Sequence, residues 1–214
     1  MNTLDTNTEN TTTEQRRRFL RTLAGGVAIT AGSQLLAGQV FASATSSVEL
    51  AASSDIALTP AAHEPSEPRS LHLFNTHTHH SLKATFYRDG QFDESALRKL
   101  NFFLRDHREN EAIVMDKALY TQLWAIQQAT DPQSVIQIIS GYRTPKTNQM
   151  LNRNSNGVAR NSLHMQGRAI DFRIPGVSTR GVRDVARSLN EGGVGYYRSS
   201  DFVHIDTGQV RHWG

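Results

Sequence analysis

The sequence predicts an α+β domain, a small antiparallel sheet flanked by helices, over residues 70–214. Three observations predict it: amphipathic helical patterns come early in that span, alternating or continuous apolar strand patterns cluster late, and no internal repeat is present. At 214 residues, 37% hydrophobic and 20% charged, the chain suits one globular domain of moderate size with additional segments.

Ser70–Asn75 and Ser81–Tyr87 each alternate as a strand would, and together they predict a β-hairpin that the chain leaves through Arg88-Asp89-Gly90. Asp93–Arg108 carries Leu97, Leu100, Phe103 and Leu104 at helical spacing, with Asp93 as N-cap and Glu94 in the first turn. Asp116–Ala129 repeats the pattern with Leu119, Leu123 and Ile126. Val135–Ile139 is β-branched and apolar and reads as a buried strand, after which Ser140-Gly141-Tyr142-Arg143 turns away. Thr144–Asn152 reads as a short helix with Pro145 at its first position. Arg168–Ile174 is a second core strand, and Ser178–Leu189 a third amphipathic helix bearing Val182, Val185, Ala186 and Leu189. Gly192–Tyr197 and Phe202–Asp206 form a last hairpin.

The residues before this domain read as an address. Residues 1–15 are polar, Arg16-Arg17-Arg18-Phe19-Leu20-Arg21 is a basic n-region, Thr22–Phe41 is apolar and small, and Ala42-Ser43-Ala44 is an A-x-A cleavage site. The arrangement Arg16-Arg17-x-Phe19-Leu20-Arg21 resembles the bacterial twin-arginine (Tat) motif, so residues 1–44 are expected to bring the chain to the Tat translocon and into the periplasm. The stretch has too many Gly, Ala, Ser and Thr for a stable membrane anchor, and no Cys follows it to accept a lipid. Residues 45–69, rich in Ser, Ala, Pro and Glu, read as a linker.

Composition narrows the chemistry. With no cysteine there is neither a disulfide nor a thiolate metal site, so a metal must be held by His, Asp or Glu, which suits zinc and other first-row metals. The net charge is +3, and removing residues 1–44 takes away four Arg and three acids, leaving +2. No dense Lys/Arg stripe with interleaved aromatics is present, so a nucleic-acid partner is not expected, whereas an anionic polymer such as a cell wall is compatible.

Two segments near the C-terminus carry the chemistry: Ser162-Leu163-His164-Met165-Gln166-Gly167-Arg168-Ala169-Ile170-Asp171 and Asp201-Phe202-Val203-His204-Ile205-Asp206. If the loop holding His164 runs directly into the strand holding Asp171, both side chains reach one cavity. Gly167 permits the tight turn and Ala169 leaves room. His204 sits among apolar neighbours, where a core histidine with a satisfied hydrogen bond is the plainer alternative. Two His and one Asp, with one position open to water, make a catalytic zinc site. Arg143 follows a strand end; its guanidinium fork suits a carboxylate or a developing oxyanion, and a surface role is the alternative. Ser162 either hydrogen-bonds near the metal or shapes the turn. His77, His79 and His80 form a run of the kind that binds metal on surfaces, but they fall in the turn of the first hairpin. Trp213 either stacks on substrate or packs in the core.

The pattern Ser162-x-His164-x-x-Gly167-x-Ala169-x-Asp171, followed by His204, resembles the zinc D-Ala-D-Ala peptidase superfamily, which includes VanX-type dipeptidases, phage endolysin peptidases and the metal-binding domain of hedgehog proteins. Ser140-Gly141-Tyr142-Arg143, Gly192–Tyr197 and Phe202–Gly208 are similar, more closely, to the Tat-exported murein endopeptidase K family, over roughly residues 70–214. That resemblance implies zinc ligands His164, Asp171 and His204, a substrate- or oxyanion-binding role for Arg143, and a general base that is either Asp201, three residues before the last His ligand, or Asp206, which is equally able to orient a ligand. It implies a zinc peptidase that cleaves peptide cross-links of peptidoglycan, at D-alanyl–diaminopimelate or diaminopimelate–diaminopimelate bonds, and the chain is expected to be a monomer. A D,D-carboxypeptidase on stem peptides and a non-catalytic, zinc-containing wall-binding module are the alternatives.

Overall fold

The computed structural model describes residues 67–155 and 157–214. The expected export signal and the linker up to residue 66 lie outside the described residues. Strands β1 (Arg69–Asn75) and β2 (Ser81–Arg88) form the expected hairpin, and their alternation sends Leu71, Leu73, Ala84 and Phe86 into the core. Asp89 and Gly90, both left-handed (φ 51 and 78), turn the chain into the two-residue strand β3 (Gln91–Phe92), an element too short to carry a period.

Helix α1 (Glu94–Phe103) starts where expected: the Asp93 side chain accepts from the N–H of Ala96 at 2.9 Å. It ends five residues before the expected Arg108, because tertiary bonds claim the residues after Phe103. The carbonyl of Leu104 accepts from Tyr142 N–H at 2.8 Å, and buried Asp106 accepts from Arg108 N–H, Thr144 N–H and the Thr144 hydroxyl, each at 2.9 Å. Helix α2 (Lys117–Thr130) is capped by Asp116. Strand β4 (Ile136–Ser140) leads through Gly141–Thr144 to helix α3 (Pro145–Asn154), which has proline in its first turn and Thr144 as cap. A 3₁₀ turn (Leu163–Gln166) precedes strand β5 (Ala169–Arg173), and helix α4 (Thr179–Leu189), capped by Ser178, leads to β6 (Gly193–Tyr197), β7 (Phe202–Asp206) and β8 (Arg211–Trp213).

The α+β class holds, with a larger and more mixed sheet than the sequence indicated. Eight strands run in the order β3-β2-β1-β4-β5-β7-β6-β8, and two of the pairings, β1 with β4 and β6 with β8, are parallel. The first parallel pair reflects the long crossover through α1 and α2, the kind of connection that parallel neighbours need. Helix α1 packs on β2, α2 on β1 and α4, and α4 on β6 and β7. One hydrophobic cluster joins Leu97 and Leu100 of α1, Leu119 and Leu123 of α2 and Val182 of α4 to Leu73, Ile138, Ile170, Phe172, Val203 and Ile205 of the sheet. Each such fully buried side chain contributes about 1.5–3 kcal/mol. Helix α3 buries only Thr147 and Asn148, so polar contacts hold it. Because successive strand residues face opposite sides, Asp171 between Ile170 and Phe172, and His204 between Val203 and Ile205, point away from this core. No helix among the described residues is long and apolar enough to cross a membrane.

Candidate metal and catalytic site

Strands β5 and β7 pair so that Asp171 stands directly opposite His204, which places their side chains on one face. His204 Nδ1 lies 2.8 Å from Asp171 Oδ1. The 3₁₀ turn supplies the third member. Ser162 caps it, accepting from the N–H of His164 at 3.3 Å, and Gly167 closes it in the left-handed conformation (φ 67), where a Cβ would meet the carbonyl of Val114 at 2.8 Å. His164 Nε2 thereby comes to 3.2 Å from Asp171 Oδ2 and 3.2 Å from His204 Nδ1.

These three atoms fit a metal ion. One ligand atom from each of His164, Asp171 and His204 lies within 4.8 Å of the others. The closest approaches among the three side chains, 2.8 to 3.2 Å with Asp171 meeting the two rings through different oxygens, lie somewhat below the ~3.4 Å between neighbouring donors of a tetrahedral ion with bonds of ~2.1 Å. The atoms facing away from the convergence point have partners of their own, as metal ligands require. His164 Nδ1 is 2.7 Å from the carbonyl of Gly141, and His204 Nε2 is 3.1 Å from Asp206 Oδ2. Asp171 Oδ2 also accepts from Arg143 Nη2 at 2.6 Å. The three are buried, and gathering carboxylates and imidazoles in so dry a place costs stability unless each is paired.

The three groups and Asp206 shift one another's titration. Burial pushes His164 down, and the charges of Arg143 and His204 act in the same direction. Burial works against the charge on Asp171 too, but the imidazoles of His164 and His204 hold its carboxyl well below the usual range. For His204, burial is outweighed by hydrogen bonds to Asp171 and Asp206, and its pKa rises to about 9. Asp206 is also held low: burial is overcome by His204, by Arg211 and by the N–H groups of Gly208 and Gly193.

Arg143 stands at the cleft wall, its Nε donating to Ser140 Oγ at 2.8 Å and its Nη2 to Asp171. Asp206 is fully buried and turned toward His204 Nε2, the ring atom remote from the ligand cluster. The structure does not bring Asp201 to the cluster. It lies in the β6–β7 turn with a left-handed backbone (φ 53), its side chain bonded to the Thr179 hydroxyl and 3.7 Å from Arg173 Nη1. His77 stacks on His107 at 4.2 Å and contacts the carbonyl of Ile139 at 3.0 Å, apart from the ligand cluster.

A cleft of about 500 Å³ opens over the cluster. One side is formed by Ser155, residues 157–159 and residues 161–163, and the other is aromatic, with Tyr197 stacked on Phe202 at 4.4 Å. Trp213 lies 5.2 Å from the His204 ring and donates from Nε1 to the Tyr197 hydroxyl at 3.2 Å. Gly195 makes room for the indole, since a Cβ there would meet it at 2.6 Å. Sequence reasoning missed Tyr197, Phe202 and Arg211 as cleft residues. The one signal that could have found Arg211 is its alternation with Trp213, which sets both on one face of a short strand.

A family model described as peptidoglycan L,D-endopeptidase MepK matches residues 63–213. The peptidoglycan L,D-endopeptidase MepK of Escherichia coli (strain K12) is 45% identical over 146 residues, which cover 68% of this chain and 80% of that protein. The protein of the same name from Shigella flexneri matches to the same extent. The probable peptidoglycan L,D-endopeptidase MepK of Haemophilus influenzae is 43% identical over 148 residues, covering 69% of this chain and 80% of its own. With a His/Asp ligand cluster under an open cleft and a match that spans the whole described domain, the chain belongs to the peptidoglycan L,D-endopeptidase MepK family.

Proposed function

We propose that this protein is a zinc-dependent endopeptidase that hydrolyses peptide cross-links of peptidoglycan in the periplasm, reached through the Tat translocon by the signal in residues 1–44. The observation that carries the reading is the convergence of His164 Nε2, Asp171 and His204 Nδ1 beneath the cleft. A two-His, one-carboxylate set with an open fourth position is the donor set of catalytic zinc. Zinc bound there supplies Lewis acidity for amide hydrolysis at neutral pH.

The chain's own residues do the rest. Asp206 accepts the Nε2–H of His204 and so keeps Nδ1 turned toward the ligand cluster. The Gly141 carbonyl fixes the tautomer of His164 in the same way, leaving Nε2 free to ligate. Arg143, steadied by Ser140 and Asp171, offers its remaining N–H groups to an oxygen that gains charge in the transition state. The open cleft of about 500 Å³ over the cluster gives room for a peptide substrate. The relatives are named L,D-endopeptidases, and we extend that preference to this chain. The bond between the L centre of one diaminopimelate and the D-centre amine of the next answers to it.

The test uses purified mature protein and cross-linked muropeptide dimers. Conversion to monomers that a chelator abolishes and zinc restores, and that His164→Ala lacks, supports the proposal. Dimers left intact by protein carrying one zinc per chain would overturn it. Release of terminal D-alanine alone would mark a carboxypeptidase instead.

A further inference from the structure

Two cations line the cleft among the described residues, Arg143 and Arg211, and they are placed for different work. The Arg143 side chain is 12% exposed and bonded to Asp171 and Ser140. The Arg211 side chain is 47% exposed. Its Nη2 donates to Asp206 Oδ2 at 2.7 Å, and its Nη1 donates to Asp206 Oδ1 at 3.1 Å and to the Gln209 carbonyl at 3.0 Å. Of the five N–H groups of a guanidinium, this leaves Nε–H and one Nη2–H for a ligand. Its central carbon lies 5.0 Å from the Trp213 ring, which itself borders His204. Arg211 is therefore a guanidinium already fixed in orientation on the wall of the same cleft.

Resting on the function proposed above, we infer that Arg211 binds the carboxylate of the D-configured residue on the leaving side of the scissile bond. In an L,D bond between two diaminopimelates, the departing nitrogen sits on a carbon that also bears a free carboxylate. That anion must lie in the cleft beside the cluster. The charges of Asp171 and Asp206 are matched there by Arg143 and Arg211, and a divalent ion adds positive charge that favours an anionic leaving residue. A planar fork held at one edge by Asp206 is preorganised to meet a carboxylate at the other. The recognised class is a peptide whose leaving residue is a free D-centre acid, in preference to its carboxamide.

The experiment compares two synthetic dimers, one with the free carboxylate at that D centre and one with the carboxamide, using zinc-loaded mature protein. Wild type is expected to favour the acid in kcat/KM by about tenfold or more, the scale of a hydrogen bond to a charged group. In Arg211→Met the ratio collapses toward one, mainly through a higher KM for the acid, and Arg211→Lys retains part of it. A role exercised only through Asp206 and His204 would lower both substrates together and leave the ratio unchanged, which overturns the inference while leaving the endopeptidase reading intact. A wild-type ratio near one also overturns it. Failure to cleave either dimer overturns both readings. Zinc content measured on each variant guards against misfolding, and Arg211→Lys preserves the test if Arg211→Met does not fold.

Discussion

Asp201 and Asp206 are the same chemical group five residues apart, and their surroundings give them opposite fates. Asp201 stands on a left-handed turn with its carboxylate among Thr179 and Arg173. Asp206 is sealed between His204, Arg211 and two backbone N–H groups. Asp206→Asn is therefore expected to weaken metal binding about 10- to 100-fold, the usual effect of removing a ligand's outer partner. Asp201→Asn is expected to leave it within about twofold. Competition against a chromophoric zinc chelator measures both, and equal losses in the two variants would refute the distinction. The sequence could show that Asp206 shares a face with His204, because strand alternation is period two. It could not show which nitrogen of His204 Asp206 faces, since that depends on the ring's rotation against Trp213 and Asp171.

At the scale of elements, the connection from β4 to α3 does more than turn the chain. The carbonyl of Gly141 holds His164 Nδ1, and Gly141 itself lies so close to α1 that a Cβ would come within 2.4 Å of the Leu104 carbonyl. Gly141→Ala must push the turn away from α1. The expected outcome is a loss of about 1–3 kcal/mol in stability, as for other overpacked buried sites, together with weaker metal binding. Denaturant unfolding and metal titration of the same variant test this, and an unchanged metal affinity would show that His164 is held by its own turn alone. The helices and central strands were legible because their apolar periods are long. Strands β3 and β8 were not, because two or three residues carry no period and their pairing is decided by partners distant in sequence. The last five residues expected for α1 look helical in isolation. Asp106 and Leu104 instead bond to Thr144 and Tyr142, nearly forty residues away.

Across the whole molecule, metal and proton compete for one atom. Without metal, the pKa of His204 is raised to about 9, while burial pushes that of His164 down. A metal ion must displace that proton, so its affinity is expected to rise about tenfold per pH unit toward pH 9 and level off above. The same proton sets the sign for stability. The protonated His204 stabilises the metal-free fold fully below its unfolded pKa of about 6.5, and that contribution is lost as pH rises through about 9. The gap in Tm between metal-loaded and chelated protein should therefore widen from pH 6.5 to 9, and calorimetry showing a constant gap would contradict it. That His164, Asp171 and His204 could reach one cavity was readable from spacing and family resemblance. The competition was not, because it arises from burial and from two carboxylates that only the folded sheet brings to one imidazole.

The pairing of Asp171 with His204 across β5 and β7 has a consequence for how the chain matures. A slip of one residue between these strands would turn one ligand into the apolar core and leave the other outside. Capacity to hold an ion is thus acquired only by chains whose central strands have joined in the correct frame. The cluster is therefore complete only in chains whose central strands are correctly paired.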